Sequence, residues 1–476
     1  MYLLRKYSLN LSKLISNLFL SFSIILLLYV VYRAEFYHSG SKFNFYIKYY
    51  LASTVLIVLS IISYYLSKEI KIKILVILIA TFIVFYFIES YIVIRDFVKK
   101  NYYIEKIIRE EIKKTGIKYD SRTKWQVYLD LKKEDPNVVI AIDPYHFLNE
   151  INQTIFPLAS ISNKKTISCN ENGYHQIYQS DRYGFNNLDN EWDKKQTEFL
   201  LVGDRFTVGD CVNEPDTIGG NLKKFINNKG GVLNLGQGGN GPLMEYATLR
   251  EYLPITNTKR VIWIYCESND LVGRPGAEGL KAELNNKILL KYLNDQRFTQ
   301  NLHLKQKEID TKVNKKLISM IRNVKQLQSE SKFFKFIKLF NLRKLTKITI
   351  DNLLQKPSSS PPQTISPEFK KIIILAKNFV EKNGANFYFV YLTERERYFY
   401  KDFDDNLHDY RKVVQFIKES NIPIIDINKE LFQDHKDPLS LFPFRKDRSR
   451  YHYNELGYKL VANAIFKKIS EFENTK

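Results

Sequence analysis

Four short segments, far apart in the sequence, carry residues that could bind an acyl group or transfer a proton. Arg205, a glycine-rich turn around Gly239, and Asn269 each follow an apolar stretch (residues 199–202, 232–235 and 261–265). His452 precedes a helical pattern near the end of the chain. The turns are rich in backbone donors and polar side chains, as expected where a ligand binds.

The elements around these residues predict one α/β domain. Short apolar stretches alternate with helical patterns at residues 199–202, 232–235, 261–265, 387–391 and 423–427, and a last helix begins after Asn454. This alternation is typical of a parallel, doubly wound sheet. Ligands of such sheets bind beyond the carboxyl ends of the strands. We therefore expect Arg205, Gly239, Asn269 and His452 to converge in one cleft.

The order of these blocks resembles that of the SGNH (GDSL) hydrolase superfamily. Gly203-Asp204, Gly239, Asn269-Asp270 and His452 match the four family blocks, from Tyr174 to the C-terminus less an insertion. Residues 178–186 also resemble the lead-in of membrane-anchored bacterial members. The resemblance implies a flavodoxin-like three-layer α/β/α fold. It also implies a serine nucleophile after Gly-Asp, oxyanion donors at Gly239 and Asn269, and His452 as the base.

Two positions depart from the family pattern. Arg205 stands where the nucleophilic serine is expected, and a guanidinium stays protonated and cannot accept an acyl group. Thr207 is a poor substitute because of its place in the turn. Ser449 stands where the family has an aspartate to orient the histidine. Asp447, a backbone carbonyl or another acid could take that role.

These departures leave two functions open. The first is an esterase or O-acyltransferase acting on acyl esters of extracytoplasmic glycans, impaired because Arg205 replaces the serine. The second is a non-catalytic component that binds an acylated or anionic glycan or scaffolds polysaccharide assembly. The net charge of +21 also fits nucleic acid, but no groove-entering or stacking motif supports that partner. The sequence predicts no metal or organic cofactor and identifies no protein partner.

The first hundred residues predict a membrane domain, although the mean hydropathy of the whole chain is only −0.29. Apolar runs cover Leu14–Val31, Tyr46–Leu66 and Ile74–Ile94, each close to the roughly 20 residues that cross a bilayer as a helix. The alternative is a cleaved signal peptide followed by buried core helices, but no small-residue cleavage site follows the first run. The flanking Lys and Arg residues are evenly divided, so the charge pattern leaves the orientation open.

The remainder is expected to comprise a polar lead-in (residues 101–193) and the α/β domain (194–476). An insertion at about 292–367 interrupts that domain. The centre of the insertion, residues 332–347, has six Lys and Arg residues and no acid, and a Pro/Ser-rich linker follows it. The insertion could be a solvated helical hairpin that covers the sheet, or a contact to a membrane surface or an anionic glycan.

The three cysteines predict one disulfide. Cys169 and Cys211 lie in polar segments on either side of the first strand of the sheet, whereas Cys266 ends an apolar strand, where a reduced thiol packs well. A Cys169–Cys211 bond implies an oxidising compartment. It would place the N-terminus inside and the C-terminal domain outside a bacterial cytoplasmic membrane. The alternative is three free thiols in a cytoplasmic domain.

Overall fold

The computed structural model describes most of the chain and divides it into two compact units. Unit 1 comprises residues 1–98 with 330–357, and unit 2 comprises residues 99–329 with 358–476. The described residues are 2–37, 43–98, 105–116, 118–150, 152–267, 270, 279–329, 332–346, 365–399, 410–444 and 451–475.

Within its described residues, unit 1 has three long helices, Tyr2–Val31, Phe43–Ile62 and Lys68–Val98, with a π-helical turn at Tyr32–Tyr37 and a 3-10 turn at Ser63–Tyr65. Three segments are long and apolar enough to cross a membrane: Ser12–Phe36, Phe45–Tyr65 and Lys68–Val98. Ser23 on the first helix and Ser60 on the second share a 2.7 Å hydroxyl hydrogen bond. The three predicted apolar runs therefore lie in helices that are long and apolar enough to cross a membrane.

The part of unit 2 that the structure describes has two sheets. A small sheet is formed by β1 (Val139–Ile140), β2 (Lys165–Ile167) and β3 (Ile177–Gln179), in that order. The second sheet is formed by β4 (Thr197–Gly203), β5 (Gly231–Asn234), β6 (Thr258–Cys266), β7 (Asn386–Leu392) and β8 (Ile424–Asp426). Its order is β5-β4-β6-β7-β8 and every pairing is parallel. The mixed α/β class with a parallel sheet is therefore confirmed.

Helices cover both faces of the five-stranded sheet. Along β6, Val261, Trp263 and Tyr265 enter one hydrophobic core, and Ile262, Ile264 and Cys266 enter the other. This two-residue alternation explains why the strand is apolar throughout, because a parallel strand is buried on both faces. Helices Pro242–Tyr252, Lys287–Asn294, Gln306–Ser329, Pro367–Lys382 and Tyr410–Glu419 contribute to the first core; Ile218–Phe225 and Glu455–Asn474 contribute to the second. Shorter α-helices lie at Glu105–Thr115, Lys124–Glu134, Arg205–Val208, Leu280–Glu283 and Glu396–Phe399.

The insertion divides between the two units. In helix Gln306–Ser329, Ile309, Val313 and Leu317 are buried in the first core. The basic centre of the insertion instead belongs to unit 1. Its described residues form helix Lys332–Ile337 and a second helical stretch over residues 340–346. The two parts of the insertion therefore serve different structural purposes.

Candidate functional site

The turn after β4 has a tightly packed backbone. A Cβ atom at Gly203 would lie 2.6 Å from the carbonyl oxygen of Ile264 and 2.0 Å from Thr207 Oγ1, so only glycine fits. The Asp204 carboxylate accepts the backbone N–H of Phe206 at 2.9 Å and caps the short helix Arg205–Val208. This cap fixes Arg205 at the first position of that helix. Thr207 is completely buried, so its hydroxyl is closed to a bulky substrate.

The glycine-rich turn after β5 approaches the same place. The backbone N–H of Gln237 donates to the carbonyl of Gly203 at 3.2 Å, which ties the two turns together. At Gly239 the φ angle is +71°, and a Cβ atom would lie 2.5 Å from Cδ1 of Tyr145. The guanidinium carbon of Arg205 lies 6.0 Å from the centre of the same tyrosine ring. Tyr145 therefore packs beside both Arg205 and Gly239.

His452 is buried and bound to Glu171. Its Nδ1 atom lies 3.0 Å from Glu171 Oε1, and the backbone N–H groups of Tyr451 and His452 both donate to Glu171 Oε2 at 3.0 Å. The imidazole ring centre is 5.1 Å from that of Phe206, the residue after Arg205. Glu171 therefore holds both the ring and the backbone of His452, which is the role of the orienting acid in a histidine–carboxylate pair.

Burial and charge act in opposite directions on His452. Burial by itself would lower the pKa of His452, but the carboxylates of Glu171 and Asp210 outweigh it and raise the pKa above its usual value, against a smaller opposing effect of Arg205. Burial also raises the pKa of Asp210, which accepts a 3.1 Å hydrogen bond from the Ser168 hydroxyl. The surroundings therefore stabilise the protonated form of His452 relative to a free imidazole.

A disulfide joins the lead-in to this site. Cys169 and Cys211 are bonded, with their Cα atoms 5.0 Å apart, and Cys266 is free and buried, so the predicted pairing is confirmed. Cys211 Sγ lies 3.8 Å from His452 Nδ1. Glu171 follows Cys169 by two residues. The bridge therefore anchors the loop that carries Glu171 next to the turn that follows Arg205.

Two amide side chains near Gly239 are buried without hydrogen-bond partners among the described residues. Asn240 is 2% exposed and neither atom of its amide is paired, and Gln237 is 3% exposed with its Nε2 unpaired. Buried amides normally find a partner. These groups could hydrogen-bond hydroxyl or carbonyl oxygens of a bound molecule.

The structure places three of the five predicted site residues near one another. Arg205 and Gly239 flank Tyr145, and His452 packs against Phe206. Asn269 and Asp447 lie outside the described residues, so their roles stay predictions. Asp270, next to Asn269, is fully buried and accepts the backbone N–H of Cys266 at 2.9 Å.

Sequence reasoning missed Glu171 and Tyr145. Glu171 lies 281 positions from His452, and no motif connects the two. The sequence feature that could have indicated Glu171 is its position two residues after Cys169. The predicted disulfide brings the loop that carries both residues close to the turn after β4. Tyr145 lies in a polar lead-in with no pattern that distinguishes it from other tyrosines.

The cluster around His452 contains residue types that can bind a metal ion. Ligand atoms of Glu171, Cys211 and His452 lie within 4.8 Å of one another. The Cys211 sulfur is bonded to Cys169, so it is no thiolate ligand in this state. The contacts of Glu171 to one imidazole nitrogen and two backbone amides are those of a hydrogen-bonded pair.

No protein-family model matches the chain, and no curated protein sequence matches it.

Proposed function

We propose that this chain is a membrane-anchored SGNH-like protein that binds an acylated or anionic glycan outside the cytoplasmic membrane of a bacterium and does not hydrolyse it. The observation that carries the proposal is Arg205, which occupies the first helical position after β4 while the buried His452–Glu171 pair is present. A histidine–carboxylate pair activates a hydroxyl or thiol, and a guanidinium offers neither.

The topology supports the SGNH-like assignment. The order β5-β4-β6-β7-β8 is 2-1-3-4-5 when the strands of this sheet are counted along the chain. This is the order of flavodoxin-like sheets, and their ligand sites lie where the order reverses, beside the first strand. In this sheet the order reverses between β4 and β6. Arg205 follows β4, and the turn that contains Gly239 follows β5, the neighbour of β4.

The disulfide supports an extracytoplasmic location. Structural disulfides persist in oxidising compartments and are rare in the cytosol. The Cys169–Cys211 bond belongs to unit 2, and three membrane-spanning segments precede that unit. An odd number of spans places the N-terminus and unit 2 on opposite sides of the membrane, so the N-terminus is cytoplasmic in this proposal.

The polar groups at the sheet edge suit a carbohydrate ligand. The unpaired Asn240 amide can donate to and accept from sugar hydroxyls. The unpaired Nε2 of Gln237 can donate to a hydroxyl or to an ester carbonyl. The aromatic ring of Tyr145 can pack against a sugar face. Arg205, and His452 when it is protonated, would favour carboxylate or acyl oxygens in the same place.

The proposal is tested with the full chain in lipid nanodiscs. We expect p-nitrophenyl acetate and acetylated glycans to be hydrolysed at the background rate, and acetylated or acidic oligosaccharides to bind. Asn240→Ala should weaken binding about tenfold, the effect of losing one or two hydrogen bonds worth about 1.4 kcal/mol in total. The matched control is Asn285→Ala, which changes an exposed asparagine. Loss of binding in both variants, or in neither, contradicts the proposed site.

The second candidate function is an esterase or O-acyltransferase, favoured by the intact His452–Glu171 pair. It predicts turnover by the unchanged protein at ordinary enzyme rates, of the order of 1–1000 per second, that is lost in His452→Ala. Arg205→Ser, assayed alongside, shows whether the remaining groups support acyl transfer once a hydroxyl is restored. Turnover of that size by the unchanged protein would overturn the binding proposal.

A further inference from the structure

Residues 332–346, called the basic segment below, belong to unit 1. It forms helix Lys332–Ile337, a turn at residues 338–339, and a second helical stretch over residues 340–346. Leu339 adopts a left-handed φ of +48° between the two helices. The segment belongs to the same compact unit as the three apolar helices, although more than 230 positions separate it from them in sequence.

Two side chains of the third apolar helix, Lys68–Val98, hold the basic segment. The Tyr86 hydroxyl donates to the carbonyl of Ile337 at 2.9 Å, and its ring centre lies 5.5 Å from that of Phe336. Glu89 is completely buried and accepts the backbone N–H groups of Asn341 and Leu342 at 3.1 and 2.7 Å. It also accepts the Asn341 side-chain amide at 2.8 Å.

Glu89 therefore caps the second helix of the segment. Asn341 and Leu342 lie in its first turn, where backbone N–H groups lack partners within the helix and where negative charge is favoured. An acidic residue within an apolar span is costly unless it is paired. These three hydrogen bonds give Glu89 a structural role: it fastens the basic segment to the third helix.

The position of Glu89 sets the depth of the segment. It lies five residues before Ile94, where the apolar run ends and Arg95 and Asp96 follow. At 1.5 Å per residue this is about 8 Å below the end of the run. Amphipathic helices that lie in a membrane interface are buried by roughly 5–10 Å. The anchor is therefore at the depth of the interface rather than at the bilayer centre.

The composition of the basic segment indicates which kind of surface it contacts in the membrane interface. Phe333, Ile337 and Leu345 are 67%, 45% and 39% exposed. Arg343 and Lys344 are also exposed, and no acidic residue occurs between positions 332 and 347. Exposed apolar side chains interleaved with cations suit a surface that offers both acyl chains and anionic headgroups.

From these observations we infer that the basic segment is a binding surface for anionic phospholipids, held in the membrane interface by Glu89 and Tyr86. The headgroup phosphates contact the Lys and Arg side chains, and the phenylalanine and leucine side chains enter the acyl region. This inference does not depend on the proposed glycan site, because no residue of unit 2 takes part in it.

The test measures lipid binding by the full chain. Detergent-purified protein is titrated with short-chain phosphatidylglycerol or phosphatidylcholine and followed by native mass spectrometry. The variant changes Lys335, Lys338, Arg343 and Lys344 to glutamine. The control changes four exposed lysines of unit 2 to glutamine: Lys194, Lys195, Lys229 and Lys281.

We expect the unchanged protein and the control to bind phosphatidylglycerol at least tenfold more tightly than the basic-segment variant, because the variant lacks four cations that attract anionic headgroups. Binding of phosphatidylcholine should differ less than twofold among the three proteins. Glu89→Leu should raise amide hydrogen exchange in residues 340–346 while the four cations are kept.

Three results would overturn the inference. The first is equal phosphatidylglycerol affinity of the variant and the control. The second is no preference of the unchanged protein for phosphatidylglycerol over phosphatidylcholine. The third is displacement of phosphatidylglycerol by an acidic oligosaccharide that binds the segment more tightly, which would identify a glycan as its partner.

Discussion

Removing the Cys169–Cys211 bridge should lower the unfolding free energy of unit 2. The length of the chain loop that the bond closes determines the size of this loss. The bond spans 42 positions. On the chain-entropy model a closed loop of this length constrains the unfolded chain by about 4 kcal/mol at 25 °C. The perturbation is the double variant Cys169→Ala and Cys211→Ala, which prevents the bond without leaving thiols to re-oxidise.

The assay is amide hydrogen exchange of β4 and β6, whose protection reports global opening of the sheet. A loss of about 4 kcal/mol corresponds to exchange that is roughly a thousandfold faster, since 1.4 kcal/mol is a factor of ten. The matched control is Cys266→Ala, which removes a buried sulfur atom but no cross-link. It should lose about 1 kcal/mol, the effect of a small cavity in the core.

The bridge also has a local effect at His452. Without it, the loop that carries Glu171 is less restrained, so burial should outweigh the carboxylate and the pKa of His452 should fall, as followed by NMR of the imidazole protons. The reasoning is refuted if the double variant is no less stable than Cys266→Ala. A stable double variant would show that residual structure in the unfolded chain already restrains this loop.

Two further substitutions test the site. Glu171→Gln should lower the pKa of His452 and cost about 2 kcal/mol of unfolding free energy. Because the folded-state pKa of His452 is raised, the loss should be largest below about pH 6.5 and should decrease as the pH rises through the raised value. The part that comes from the backbone hydrogen bonds of Glu171 remains at high pH, and a loss that does not change with pH in urea titrations would contradict the reasoning. Gly239→Ala should cost roughly 1–3 kcal/mol more than Gly384→Ala in the same titrations. Both glycines have positive φ angles, of +71° and +78°, but a Cβ atom clashes with Tyr145 only at Gly239; equal losses would contradict the close packing.

Much of the architecture could be predicted from local sequence patterns. The three helices that are long and apolar enough to cross a membrane follow from runs of about 20 apolar residues, because a bilayer requires that length wherever the run occurs. The strands of the parallel sheet follow from short apolar stretches between helical patterns, because both sheet faces are buried. The disulfide follows from the contrast between cysteines in polar loops and a cysteine in an apolar strand.

The tertiary structure decided the pairings between distant residues. Glu171 binds His452 across 281 positions, and Glu89 caps residues more than 250 positions away. No sequence motif around either carboxylate predicts its partner, because a hydrogen bond depends on distance in space and not on sequence spacing. The sequence determined which residues could act as acid, base or cation. Only folding, which brings the lead-in loop and the basic segment to their places, determined which of them meet.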